Sequence, residues 1–276
     1  MSNSLVLLGF DEVLWKFLSE RVICMERRDV QWYSPRLQMN MRVKIYGSAV
    51  GVPFLAFPTE EAMSDNFENF GMIDTLAPAL ESQQIQLYCV DSVDSETWSN
   101  LWGDKAWRAQ RQELYYGYVV EEVVPLIRSE NWSNKRPIAM GCSLGGMHAA
   151  IVFFRRPDIF GGVLSLSGTY DGKYYMEGWS DPVLYDNSPL DFLANMKPDH
   201  TYIDTYNQRR IVLCVGQGRW EEEERRTTAL MGDLLFEKGI NAWVDFWGYD
   251  VDHDWEWWKK QALYFLPYML KEPEEG

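Results

Sequence analysis

Short apolar runs recur along the chain at residues 53–57, 85–90, 137–140, 162–166, 211–215 and 242–247. Their length and lack of alternation predict strands buried on both faces. Apolar positions at helical spacing occupy most of the intervals, at 105–128, 145–155, 222–238 and 255–270. Such alternation of strand and helix builds a mostly parallel sheet with helices on both faces. Ahead of it, residues 27–32 and 38–46 alternate, or are rich in strand formers, around Ser34-Pro35. They predict two antiparallel strands at a sheet edge. Residues 169–208, rich in Tyr, Asp, Pro and Asn, break the rhythm after the sixth strand. That segment reads as a lid-like insertion over the carboxyl edge of the sheet, where open α/β sheets bind ligands. No repeat, low-complexity tract or linker interrupts the chain, so residues 1–276 are expected to form one domain.

The run at 137–140 leads directly into Gly141-Cys142-Ser143-Leu144-Gly145, a G-x-S-x-G sequence followed by the small-residue helix start Gly146-Met147-His148-Ala149-Ala150. Nucleophilic catalysis needs a serine on a sharp strand-to-helix turn, with glycines that let neighbouring backbone approach. Ser143 is therefore the expected nucleophile. Of the three histidines, His148 lies in the same helix as Ser143 and is expected to point away, and His200 lies in the insertion. His253 follows the last strand and precedes the last helix, the place of the general base in the order Ser…acid…His. The acid should leave the strand at 211–215. The loop that follows, Gly216-Gln217-Gly218-Arg219-Trp220, ends in four consecutive glutamates. Glu221 is the expected acid, steered inward by Trp220 packing beneath it, with Glu222 as the alternative. Glu223 and Glu224 should face solvent, and Asp252 and Asp250 are next in line. Those glutamates also suit the first turn of a helix, where the dipole favours negative charge. One oxyanion donor is the N–H of Leu144. The other is expected from Pro58-Thr59-Glu60, with Thr59 ahead of Glu60.

On these residues, with Phe57-Pro58-Thr59, Phe70-Gly71-Met72-Ile73-Asp74, Asp91-Ser92-Val93-Asp94 and His253-Asp254-Trp255, the chain resembles the putative-esterase branch of the α/β-hydrolases. That branch holds the esterase D-like enzymes and, more distantly, the antigen 85 proteins, and the resemblance runs from about Trp32 to Leu270. It implies the α/β-hydrolase fold and hydrolysis of carboxylic esters through an acyl-enzyme, with no cofactor. Many relatives carry Asp after the seventh strand, where this chain offers only Glu.

Composition narrows the picture further. A formal charge of −15 disfavours nucleic acid and anionic membrane surfaces as partners. The apolar run at 5–10 is broken by Asp11 and Glu12 and lacks a basic flank, so neither a signal peptide nor an anchor is expected and the chain reads as cytoplasmic. Cys24, Cys89, Cys142 and Cys214 lie in or beside apolar runs without CxxC spacing, and read as reduced core thiols. Asp250-Val251-Asp252-His253-Asp254 imitates the start of a calcium loop, but Trp255 replaces the required glycine, so no metal site is expected. Aromatic residues make up 15% of the chain. Those at 98–116 and in the insertion are candidates for pocket walls or for core. The expected partner is a small-molecule ester. Short acyl groups are favoured, because the insertion has no Leu- or Phe-rich run for an acyl tunnel. Homo-oligomerisation stays open. A non-catalytic binding protein on this fold, or an acyltransferase using the same serine, are the competing readings.

Overall fold

The computed structural model describes residues 25–271, and eight strands share one sheet. They are β1 (Arg27–Ser34), β2 (Met39–Tyr46), β3 (Val52–Phe57), β4 (Ile85–Val90), β5 (Ile138–Cys142), β6 (Gly162–Leu166), β7 (Arg210–Val215) and β8 (Trp243–Phe246). In chain order the helices are α1 (Asn66–Asn69), α2 (Met72–Glu81), α3 (Lys105–Tyr118), α4 (Val124–Glu130), α5 (Leu144–Arg155), α6 (Pro182–Asp186), α7 (Pro189–Ala194), α8 (Tyr202–Asn207), α9 (Glu222–Glu237) and α10 (Trp255–Leu270).

The strand order is β1-β2-β4-β3-β5-β6-β7-β8. β1 and β2 pair antiparallel, with Val30 opposite Val43, and β2 meets β4 antiparallel. From β4 to β8 all pairings are parallel. The chain passes from β3 outward to β4, then returns to place β5 on the other side of β3. The order thus reverses between β3 and β5, and ligands of open α/β sheets bind at the carboxyl ends of such a switch point. Those ends are Phe57, leading into Pro58-Thr59, and Cys142, leading into Ser143.

Two apolar layers cover the sheet. Met72, Ile73 and Leu76 of α2 pack with Trp258 and Phe265 of α10 on one face. Tyr115, Tyr118, Phe153, Met231 and Leu235 of α3, α5 and α9 pack on the other. Burying both faces explains why β4, β5 and β6 are buried at every position and, apart from Gln86 and Ser165, carry no polar alternation. The strand expected at 242–247 departs from this. β8 is only half-buried, because it ends the sheet. The helical pattern at 105–128 is broken by a π turn at Val119–Val123, after which Pro125 sits in the first turn of α4, where its missing N–H costs little. Helix α2 is absent from the sequence expectation, and it carries Pro78, a residue that breaks most helix interiors. Its buried face of Met72, Ile73, Leu76, Ala79 and Leu80 overrides that signal. The insertion carries α6, α7 and α8. Cys89, Cys142 and Cys214 are buried free thiols, each held above its ordinary pKa by burial; Cys24 and the run at 5–10 lie outside the described residues. Among the described residues, no helix is long and apolar enough to cross a membrane.

Candidate active site

Ser143 caps α5 with φ 56° and ψ −130°, a positive-φ conformation that a non-glycine residue adopts only under constraint. The flanking glycines supply that constraint. A Cβ on Gly141 would lie 2.2 Å from the backbone of Gly145, and one on Gly145 would lie 2.4 Å from the Phe57 carbonyl oxygen. The turn is also pinned to the neighbouring strand, since the Ser143 N–H donates to the Leu166 carbonyl at 2.9 Å. The serine hydroxyl therefore stands at the end of β5, above the switch point.

His253 arrives from the loop after β8, and its Nε2 lies 2.8 Å from Ser143 Oγ. Its Nδ1 lies 3.3 Å from Oε2 of Glu221, which is only 1% exposed. Two loops are zipped together to achieve this. Gly218 N–H donates to the Val251 carbonyl, Arg219 N–H to Asp252 Oδ1, and His253 N–H to the Arg219 carbonyl. The approach is close enough that a Cβ on Gly216 would meet the Val251 oxygen at 2.2 Å. Asp252 is held by the Arg219 guanidinium, which keeps its carboxyl below the usual range, and Asp250 is exposed, so neither is the imidazole's partner.

Trp220 does not pack beneath Glu221. It is 68% exposed beside the Arg219 guanidinium, and its own positive φ of 61° turns the chain so that Glu221 faces inward. Glu222 begins α9 exposed, away from the imidazole. Glu223 pairs with Arg226 at 2.6 Å. Glu224, expected in solvent, instead turns inward, where its Oε1 lies 3.3 Å from the Thr169 hydroxyl that donates to it.

Two residues that the sequence reading missed hold Glu221 in place. Ser167 Oγ donates to Glu221 Oε1 at 2.6 Å and accepts from Trp258 Nε1 at 3.1 Å. Trp258 also meets the His253 ring edge-on, with centroids 4.8 Å apart. Burial drives the His253 pKa down, but the hydrogen bond and charge of Glu221, followed by the charges of Glu224 and Asp254, outweigh it. The net shift is upward. Burial and the charge of Glu221 push the Glu224 carboxyl up, against the pull of His253.

The oxyanion side is only half open. Leu144 is the first residue of α5, so its N–H has no acceptor within the helix. The Thr59 N–H, by contrast, donates to Oδ1 of buried Asn66 at 3.0 Å, and is occupied as the structure stands. Glu60 is exposed and accepts from the Ser99 hydroxyl. His148 turns into the core, with Nε2 2.8 Å from Oδ1 of buried Asp94, and His200 is exposed. Trp98, Tyr115 and Tyr170 belong to the core, whereas Trp102 is fully in solvent. Glu221, Glu224 and His253 bring metal-ligand types of atom within 4.8 Å of one another, a grouping in which the Glu221–His253 contact already engages two members.

A switch-point sheet with a serine elbow and a histidine after the last strand defines an α/β-hydrolase. Solved structures agree on the fold. A ferulic acid esterase superposes with TM-score 0.69 at 14% identity, covering 89% of this chain and 98% of its own. An S-formylglutathione hydrolase from Agrobacterium tumefaciens gives 0.69 at 13%, covering 92% and 97%. MPT51 from Mycobacterium tuberculosis gives 0.66 at 14%, covering 89% and 98%. No curated protein matches the sequence. The Putative esterase family model matches residues 34–263, and the chain belongs to that family of carboxylic ester hydrolases.

Proposed function

We propose that the protein is a serine esterase in which Ser143 attacks the ester carbonyl, His253 is the general base and Glu221 orients it. The observation that carries this reading is the position of His253, with one ring nitrogen 2.8 Å from Ser143 Oγ and the other 3.3 Å from Glu221. With the proton on Nδ1 facing Glu221, Nε2 is free to take the proton of Oγ as the new C–O bond forms. The same proton then passes to the leaving alcohol as the tetrahedral intermediate collapses to an acyl-serine. Water, deprotonated in its turn by His253, releases the acid and restores Ser143. The N–H of Leu144 receives the oxyanion. Thr59 supplies the second donor by exchanging its bond to Asn66 Oδ1 for the stronger, charged acceptor.

The substrate in this reading is a small ester with a short acyl group, turned over in the cytoplasm by one domain that needs no cofactor. Residues 169–208 act as its cover. Support for short acyl groups comes from the polar and aromatic content of that segment. The test is a fluorophosphonate label combined with p-nitrophenyl esters of rising acyl length, with Ser143→Ala as blank. Labelling and turnover that survive in Ser143→Ala would sink the reading. Faster turnover of long than of short esters would sink the acyl preference alone.

A further inference from the structure

The first turn of α9 brings a second carboxylate to the imidazole. Oxygens of Glu224 and Glu221 and a ring nitrogen of His253 all lie within 4.8 Å of one another. Glu221 reaches His253 from the loop before the helix, and Glu224 from one turn further on. Unlike Glu223, which is neutralised by Arg226, Glu224 has the Thr169 hydroxyl as its hydrogen-bond partner. We infer that Glu224 is a second positioning carboxylate of the catalytic base, which shares with Glu221 the stabilisation of the His253 imidazolium. This rests on the serine-esterase reading.

Each proton transfer from Ser143 Oγ leaves His253 with a unit positive charge in a partly buried site, where a nearby carboxylate interacts far more strongly than in water. Glu221 holds the ring's orientation through Nδ1. Glu224 need not touch the ring, because a charge acts at this separation without a hydrogen bond. The other charged groups facing the imidazole are few. Asp254 lies beside it in sequence, and Asp252 is neutralised by Arg219. On the Glu224 side, the phenols of Tyr174 and Tyr175 lie in the field of the same carboxylate and are held above their ordinary range, chiefly by burial. They remain neutral and add no charge beside Glu224.

The arrangement has a consequence that one acid would not give. When Glu221 loses its charge, a negative charge still faces the imidazolium, so Glu221→Gln should fall short of the roughly 10⁴ loss that removal of a triad acid can cause. Removing both charges should cost about tenfold or more beyond Glu221→Gln, as coupled neighbours do. Glu224→Gln is isosteric and keeps an acceptor for Thr169.

The experiment has two arms. The first follows His253 in resting enzyme by NMR pH titration in wild type and Glu224→Gln, and does not depend on any ester. The midpoint is expected to fall in Glu224→Gln. The second compares kcat/KM of wild type, Glu221→Gln, Glu224→Gln and the double variant, with Ser143→Ala as blank. Glu224 has no such role if the titration curves superimpose and the double variant equals Glu221→Gln. If wild type is no faster than Ser143→Ala, the esterase reading fails instead, and the titration arm still decides whether Glu224 acts on His253.

Discussion

Ser167 Oγ donates to Glu221 Oε1 at 2.6 Å, so the glutamate carried after β7 is held by the residue that follows β6. Ser167 itself has a positive φ of 51°, and its N–H donates to the Cys214 carbonyl on β7. The same hydroxyl accepts from Trp258 of α10. One small side chain therefore joins two strand ends and the last helix beneath the imidazole.

Ser167→Ala should cost both stability and rate. It leaves a buried carboxylate oxygen and a buried indole N–H unpaired, for about 1–3 kcal/mol. A freed Glu221 carboxylate should lower kcat about tenfold with little change in KM. An unchanged melting temperature together with unchanged kcat would show that the contact is idle.

Ser143→Ala should abolish hydrolysis, by a factor on the order of 10⁶ in kcat, and leave the melting temperature close to wild type. The hydroxyl is not part of the core, so its removal leaves no cavity. Residual turnover of more than a few per cent of wild type would remove this serine from the mechanism.

The pH profile follows from the direction of the His253 shift. A base must be neutral, and a pKa raised by Glu221, Glu224 and Asp254 against burial keeps the imidazole charged to higher pH. The lower limb of kcat/KM should therefore titrate above the ordinary histidine value of about 6.5. The sign for stability is opposite. The raised pKa stabilises the fold fully below the unfolded-state value, and this contribution disappears as pH rises through the folded value. A kinetic midpoint below about 6.5 would show that burial dominates.

Glu222→Gln should be nearly neutral and Glu221→Gln damaging, although the two residues are adjacent. Glu222 is exposed, whereas Glu221 is the glutamate that contacts Nδ1. Equal losses in the two variants would contradict this geometry, and kcat on matched preparations is the measurement.

Cys89, Cys142 and Cys214 should resist a thiol reagent such as Ellman's until the protein is unfolded, since burial holds all three above the ordinary thiol range. Fast modification of more than one of the four thiols in native protein would mean that the core opens near the site.

Legibility from sequence followed the range of the interactions. Residues 85–90 and 162–166 coincide with β4 and β6, because a strand buried on both faces records its environment at every position. β8 kept an apolar run while lying at the edge, and α2 formed through Pro78, so there local signals misled. The loop that brings Glu221 to His253 could be located from chain order, but the direction of its side chains could not. Trp220 was expected beneath the acid and lies in solvent, while Glu224 was expected in solvent and lies inside. These outcomes depend on a positive φ and on Thr169, 55 residues away. Asn66 and Ser167 carry no motif: Asn66 meets Thr59 through the folding of a local loop, and Ser167 meets Glu221 across 54 residues.

The contact between Gly145 and the carbonyls of Phe57 and Pro58 limits how this enzyme can be altered. Elbow and oxyanion loop touch backbone to backbone, with no side chain between them to trim or enlarge. An engineer who wants a roomier acyl site has no tolerated substitution at position 145 and little freedom to shift either segment. Changes of specificity must enter through exposed positions of the insertion and of the segment after β4, such as Trp102, because buried Asp94 and Trp98 of that segment hold the elbow helix. The positions most open to redesign are thus at the surface of these two segments, away from the backbone contact that sets the serine.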